Sequence, residues 1–530
     1  MTYSVVPFST QAFSTTGRDV RVVFEMAFSF DVSLNFILYV ATTAGFATKP
    51  SDSLPNQPFR GVLQSYSFAR SILQHDIGQF TTGTGSLVIA NDDAHYDFLP
   101  QNYAIDGRPI NLRVGRADDP YDASFPFARL TATGWNIDTG NVSIDLVDYS
   151  YKLEVPMQPN VYGGSGGADG GADLAGKRKP MVFGAAREVP AVLLVPSLLI
   201  YQVNDGSIQA VTSVHDRGVA LSAGSNYADY AALAAASITA GQYGTCLALG
   251  LFKLGSAPSG TVTADVAGDN SDGYVVTTAD IVRWALRRRT SLADPGDLFV
   301  ASFSDLNTAQ AAPIDYWIGP QDSLTVAAFI ANIMGGVGGW GGHRLDGKFA
   351  VRIFKAPTGN PVAFYSRNDM LGGDIKREPL PAAYKPPPWR WRVPYARCWT
   401  VQTDLAGSVS AAHKAFVAEP YRLAESSNAS VKVDHPFAQD RDPVVAYFSN
   451  QSDAAAEALR RLNLFKATNS IYRMTLPRRA LRQDMGDEIR VTHPRFDLPS
   501  GRSMIVVESR ADISAAGGGA LDCVEIAAYG

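Results

Sequence analysis

The side chains best suited to acid–base or metal chemistry are seven histidines, at positions 75, 95, 215, 343, 413, 435 and 493. A metal site legible in sequence would set two of them at a short ligand spacing such as His-x-x-x-His, and no such pair occurs. His95-Tyr96-Asp97, His215-Asp216 and Asp434-His435 bring a carboxylate next to an imidazole along the chain. Neighbours on a strand point to opposite faces, so turn or surface roles are expected for them rather than catalysis. Cys246, Cys398 and Cys523 are too scattered for a Cys-x-x-Cys site or a disulfide framework, which suits a reducing cell of synthesis. No catalytic residue, cofactor site or metal site is therefore expected. Paired acids for glycan cleavage stay open, because their spacing is set only in space.

Three motifs fail on context. Gly171-Ala-Asp-Leu-Ala-Gly176-Lys177 matches a phosphate-binding loop until Arg178 replaces the hydroxyl residue that would hold Mg²⁺. Pro180 follows where a helix should start, and Val182-Phe183 reads as a strand. Gly163-Gly-Ser165-Gly-Gly167 fits a nucleophile elbow, but glycines on both sides would leave the serine loose. Asn270-Ser-Asp272-Gly273 lacks both outer carboxylates of a calcium loop and reads as a tight turn. Two basic clusters with tryptophan remain: Trp284 with Arg287, Arg288 and Arg289, and Trp389-Arg390-Trp391-Arg392. Tryptophan and arginine are typical interface anchors, and they also stack on and neutralise nucleic acid. Both clusters are expected at a subunit interface, with a channel touched by DNA as the alternative.

The elements that would position these residues are mostly strands. Phe24, Met26, Phe28, Phe30, Val32, Leu34, Phe36, Leu38 and Val40 occupy every even position, a period of two that belongs to a sheet. The run is either one long strand or a hairpin. Ile110-Leu112-Val114 and Val142-Ile144-Leu146 alternate likewise, the latter after an Asp138-Thr-Gly-Asn141 turn. Gly163 to Gly176 has too little apolar surface to pack and is expected as a flexible loop. Asp205-Gly206 between two apolar runs signals a hairpin. Helices are expected over Asn226 to Ala240, after Thr277 with Asp280 as capping box, after Asp322 up to Gly335-Gly336, and from Ser452 with Ala455, Leu459 and Leu462 inside. Ile489 to Thr492, Met504 to Glu508 and Cys523 to Ala527 read as strands. This predicts a mainly β, multidomain chain in four parts. These are a β-barrel-like N-terminal domain (1–155), a β-rich domain with the glycine loop (156–265), an α+β domain (266–360) and a C-terminal β-rich domain (361–530).

At 530 residues, with 46% hydrophobic and 18% charged side chains, the chain is long enough for several cores. Its net charge of −5 gives no general case for nucleic-acid binding. Met1 to Gly17 lacks the basic head and apolar run of a signal peptide. Glu25, Asp31 and Asn35 interrupt the most apolar stretch, so membrane insertion is not expected.

The order of several short segments is what stands out. Phe59-Arg-Gly61-Val-Leu63 leads to Gly85-Ser-Leu87-Val-Ile89-Ala-Asn91 and Asp106-Gly107-Arg108-Pro-Ile110. Gly176-Lys-Arg-Lys-Pro180, Phe183-Gly184, Tyr201-Gln-Val203-Asn-Asp205-Gly206 and His215-Asp-Arg-Gly218 follow, then Arg460-Arg-Leu462 and Gly486-Asp-Glu-Ile489-Arg-Val491. This order resembles baseplate-hub or tail-tip proteins of long-tailed phages, prophages and gene transfer agents. The resemblance implies a homotrimer whose tail-tube-like β-barrels form a pseudo-sixfold ring. It implies a virion location after assembly in the host cytoplasm, with a structural rather than enzymatic role in host attachment and DNA ejection. The implied partners are the distal tail protein ring, tail fibre or spike proteins and the tape measure protein, with transient DNA contact in the channel. Some related tips carry iron–sulfur modules, but three isolated cysteines cannot supply a four-cysteine cluster. A virion glycan hydrolase and a receptor- or carbohydrate-binding module are the alternatives.

Overall fold

The computed structural model describes residues 20–31, 34–72, 82–116, 119–467, 469–514 and 523–530, with no side-chain description for 20–36, 116 and 523. Strand exceeds helix, 38% to 22%, so the chain is mainly β, and its strands fall into several sheets. Among the described residues none of these sheets closes into a barrel. The chain divides into two compact units. Unit 1 comprises 1–67, 85–146 and 512–521; unit 2 comprises 68–84, 147–511 and 522–530.

In unit 1 the alternating apolar run is a hairpin of strands Val20–Asp31 and Leu34–Ala41. Its register sets Phe24 opposite Val40 and Met26 opposite Leu38, and the neighbouring strand Pro109–Arg116 sets Leu112 and Ile110 opposite the same two residues. Even positions therefore form rows across three strands. Val40, Leu38, Ile110 and Leu112 are all buried, whereas Ile37 between them is 41% exposed. A one-residue slip would exchange these two sets, which is why the alternation specifies the register. Strands Phe125–Ile137, Asn141–Val147, Thr84–Ala90 and Leu63–Ser71 follow in spatial order. The expected turn is present: the Asp138 carboxylate accepts the N–H groups of Gly140 and Asn141 at 2.8 and 2.7 Å.

Unit 2 opens on two small sheets that share a core. One contains Val192–Val195, Ile200–Gln202, Leu251–Leu254, Gln242–Cys246 and Ser222–Asn226. The other orders Val219–Ala220, Ile208–Asp216, Val262–Asp269 and Ala185–Pro190. Val189, Tyr201, Val214, Phe252 and Val266 from both meet between them. The Asp205-Gly206 turn forms but is not a hairpin, because its flanking strands belong to different sheets. Buried Asn204 explains the divergence: its side chain accepts the Val182 N–H at 2.9 Å, tying the turn to a third segment.

The glycine tract is a loop, as expected, but a pinned one. Asp169 accepts the Gly163 N–H at 2.9 Å and the Ser165 hydroxyl at 2.8 Å, and Leu174 is buried beside Tyr162. One carboxylate and one leucine thus do what the glycines cannot. Of the helices, Thr278–Arg289 starts at Thr277 as expected, the hydroxyl accepting the Asp280 N–H. The alanine-rich helix is only Tyr230–Ala235, since Asp229 caps its start and the Lys253 ammonium takes the carbonyls of Ala234 and Ala236 at its end. Thr325, not Asp322, caps Val326–Gly336, because the Asp322 carboxylate is taken by the Gly319 N–H. In helix Gln451–Phe465 the inward face is Ala454, Glu457, Ala458, Arg461 and Leu462, while Leu459 is 51% exposed. The three expected C-terminal strands are present and are joined by three more, in the spatial order Ala363–Ser366, Glu488–Thr492, Arg502–Ser514, Cys523–Tyr529, Ser470–Pro477 and Ile375–Pro379.

Candidate functional site around Glu188, His215 and His413

Three side chains distant in sequence converge in unit 2. Strand Val262–Asp269 lies between Ile208–Asp216 and Ala185–Pro190, and its Thr263 pairs with His215 on one side and Pro190 on the other. The second pairing slips: Val189 faces Ala264 and Ala186 faces Val266, so Arg187 and Glu188 together oppose Asp265. Such a bulge re-aims a side chain. Glu188 takes φ +54, its N–H bonds to the Asp265 carboxylate at 2.8 Å, and its own side chain turns into the interior with no exposed surface.

His413 arrives on the short helix Ala411–Val417, whose cap Ser410 accepts the His413 N–H at 3.2 Å. The segment carrying it is fastened to the bulge. The Trp399 N–H donates to the Arg187 carbonyl at 3.2 Å, and the Gln402 amide donates to Glu188 Oε2 at 3.3 Å. The Arg187 guanidinium lies 3.7 Å from the centre of the Phe416 ring.

At the convergence, Glu188 Oε1 is 3.1 Å from His215 Nδ1 and 3.5 Å from His413 Nε2. The two imidazole rings are 4.7 Å apart. Glu188 Oε2 accepts the Thr263 hydroxyl at 2.6 Å, and His215 Nε2 lies 3.0 Å from the Ser213 hydroxyl. Oε1, Nδ1 and Nε2 are all buried, and none is aligned for a hydrogen bond. Burial pushes the Glu188 carboxyl up, but the adjacent His215 imidazole and the Thr263 hydroxyl outweigh it and hold the group below its ordinary range. Burial pushes His215 down, yet Glu188 and then Asp265 bring it above the ordinary imidazole value. For His413 burial wins and the value falls. Two imidazoles and a carboxylate in this arrangement can share a proton or ligate a cation.

Sequence reasoning drew attention to His215-Asp216 and missed this group. Asp216 in fact serves a turn, accepting the N–H groups of Ser259 and Gly260 at 2.8 and 2.9 Å. No spacing rule could pair His215 with His413, because tertiary contact alone joins them.

In the two basic clusters the tryptophans and arginines divide between interior and surface. Trp284 is 2% exposed and packs edge-on against Phe183 at 4.9 Å, with the Arg289 guanidinium over its ring. Arg287 pairs with Asp272 at 3.0 Å, and Arg288 is exposed at the helix end. Trp391 is 1% exposed and stacks on Phe465 at 5.6 Å. Both tryptophans thus fill the interior of their own chain. Trp389 is half-buried under the Lys432 ammonium, 3.4 Å from its ring centre. Arg390 and Arg392 both bond to Asp440, and Arg392 also donates to the Arg441 carbonyl at 2.6 Å.

The fold and this geometry define a mainly β protein of several sheets with a buried two-histidine, one-glutamate cluster. No protein-family model and no curated protein matches the sequence. Among solved structures, the chain is similar to the tail protein from Neisseria meningitidis, with TM-score 0.40 and 9% identity over 96% of both chains. It is also similar to the 43 kDa tail protein of prophage MuSo2 from Shewanella oneidensis, with TM-score 0.38 and 8% identity over 96% of both chains. A chain of the native gene transfer agent virion gives TM-score 0.38 and 13% identity, covering 67% of this chain and 84% of that one. No helix among the described residues is long and apolar enough to cross a membrane.

Proposed function

We propose that this chain is the structural hub of a tailed-phage tail tip, three copies closing the distal end of the tail tube. The observation that carries the reading is the placing of antiparallel sheet at both ends of the chain. The seven-strand array begins at Val20, and the last strands run from Ser470 to Tyr529. In this reading segments 1–155 and 361–530 each supply a piece of tube wall, so three subunits contribute six around the axis. Segments 156–265 and 266–360 form the insert between them. The order of short motifs in the sequence supports the same assignment.

Subunit contact is assigned to the small sheet of Pro388–Tyr395, Arg422–Ser427 and Gln439–Asp440. Phe437 is 87% and Val433 80% exposed beside it, and a contact here would cover both. Asp440 and Glu425 together offset the charges of Arg390 and Arg392, which favours a protein contact over DNA at this sheet. The distal tail ring, tape measure protein and fibres or spike would be neighbours above and below, and the chain would travel in the virion.

Imaging of tail tips with symmetry left free tests the proposal. Three copies on the tail axis are expected; six copies, or a position on peripheral fibres, would overturn it.

A further inference from the structure

We propose that Glu188 Oε1, His215 Nδ1 and His413 Nε2 form a binding site for one divalent transition-metal ion, zinc by preference, with water in the fourth position. The site would staple the segment bearing His413 to the sheet bearing Glu188 and His215.

The two separations from Glu188 come close to those the ion sets. Zinc holds nitrogen and oxygen ligands at about 2.0–2.2 Å in a tetrahedron, which sets ligand atoms roughly 3.3–3.6 Å apart. The two distances from Glu188 Oε1 are 3.1 and 3.5 Å, and all three ligand atoms lie within 4.8 Å of one another. Direct pairing explains the cluster less well. His215 Nδ1 and Glu188 Oε1 approach to 3.1 Å as an ion pair, but the contact is poorly aligned for a hydrogen bond. Three buried polar atoms facing one another without well-aligned hydrogen bonds are costly, and a cation between them removes that cost.

The surroundings are arranged as outer support for ligands. Ser213 sits at His215 Nε2, so a proton held there leaves the Nδ1 lone pair free to face the site. Thr263 and Gln402 occupy Glu188 Oε2 and leave Oε1 unengaged. Gln402 belongs to the same segment as His413, so one loop supplies a ligand and the support of another. The His413 side chain is 19% exposed, so it stands at the edge of the site. Imidazole and carboxylate ligands suit zinc, and other first-row ions such as cobalt and nickel can replace it.

The test uses the full chain, stripped with a chelator and then titrated with Zn²⁺ by calorimetry and with Co²⁺ by visible absorption. One ion per chain, tetrahedral cobalt bands and a rise in melting temperature on zinc addition are expected. His413→Gln should lose at least tenfold in affinity while keeping the metal-free melting temperature, since this side chain lies at the edge of the site. Glu188→Gln should lose affinity as well. Lack of binding by the wild-type chain, or the same affinity in His413→Gln, would overturn the site. Cobalt bands with strong thiolate charge transfer would overturn it too, by assigning the ion to cysteine. The readout does not depend on where the chain sits in a particle, so failure here and failure of the hub reading are separate results.

Discussion

Removing the Glu457 carboxylate should loosen the end of a helix more than a hundred residues away in sequence. Glu457 is fully buried; its Oε2 accepts Arg460 Nε at 2.7 Å and its Oε1 accepts Arg461 Nε at 2.6 Å. The same two guanidinium groups reach the C-terminus of helix Val326–Gly336. Arg461 donates to the carbonyls of Gly335 and Gly336 at 2.8 and 3.0 Å, and Arg460 donates to Val337 at 3.1 Å. A helix leaves its last four carbonyls without internal partners and favours positive charge there. Glu457 therefore aims two cations that complete another helix and offsets the charge of one of them. Glu457→Ala leaves Arg461, only 8% exposed, as an uncompensated buried charge. Breaking one side of a buried pair costs about 3–5 kcal/mol. A 150–250-residue domain moves about 2–4 °C per kcal/mol; unit 2 is larger, so a fall of roughly 4–8 °C is expected. Glu457→Gln keeps the shape and an acceptor and should fall by about half as much, near 1–3 kcal/mol. Tryptophan-fluorescence melting of wild type and both variants is the assay. An alanine variant melting within about 1 °C of wild type would refute the reasoning, because so small a shift corresponds to less than about 1 kcal/mol, well short of the 3–5 expected.

Two further outcomes are expected. Burial raises the Asp315 carboxyl to about 7, against hydrogen bonds from Trp399 and Ser449 that lower it. The folded state thus holds a proton that the unfolded state releases near pH 4, so this stability is fully present below that pH and is lost as pH rises through 7. At about 1.4 kcal/mol per unit the loss approaches 4 kcal/mol at most. Asp315→Asn should therefore gain on wild type in urea midpoint from pH 5 to pH 8, and a constant difference would contradict this. Gly184 has φ +65, and a Cβ there would collide with the Ile314 carbonyl oxygen. Gly184→Ala combines a left-handed backbone cost of about 1–2 kcal/mol with overpacking of about 1–3 kcal/mol. A urea midpoint unchanged from wild type would show that the backbone at Ile314 moves aside freely.

What the sequence determined by itself was local. The alternation from Phe24 to Val40 specifies sheet and register, because a period of two allows only one buried set. Thr277 and Asp280 mark a helix start and Asp138 to Asn141 a turn, because each is settled by bonds spanning a few residues. Only the tertiary structure decided where those pieces meet. It separated the strands flanking Asp205-Gly206, since Asn204 bonds to Val182 rather than closing a hairpin. It drew Trp284 and Trp391 inward, because a large apolar ring gains more from a packed interior than its neighbouring arginines gain from water. It also assembled Glu188, His215 and His413 from a bulge, a strand and a short helix. Their order in the chain carries no trace of that meeting, because a ligand set depends on distances that only the folded chain defines.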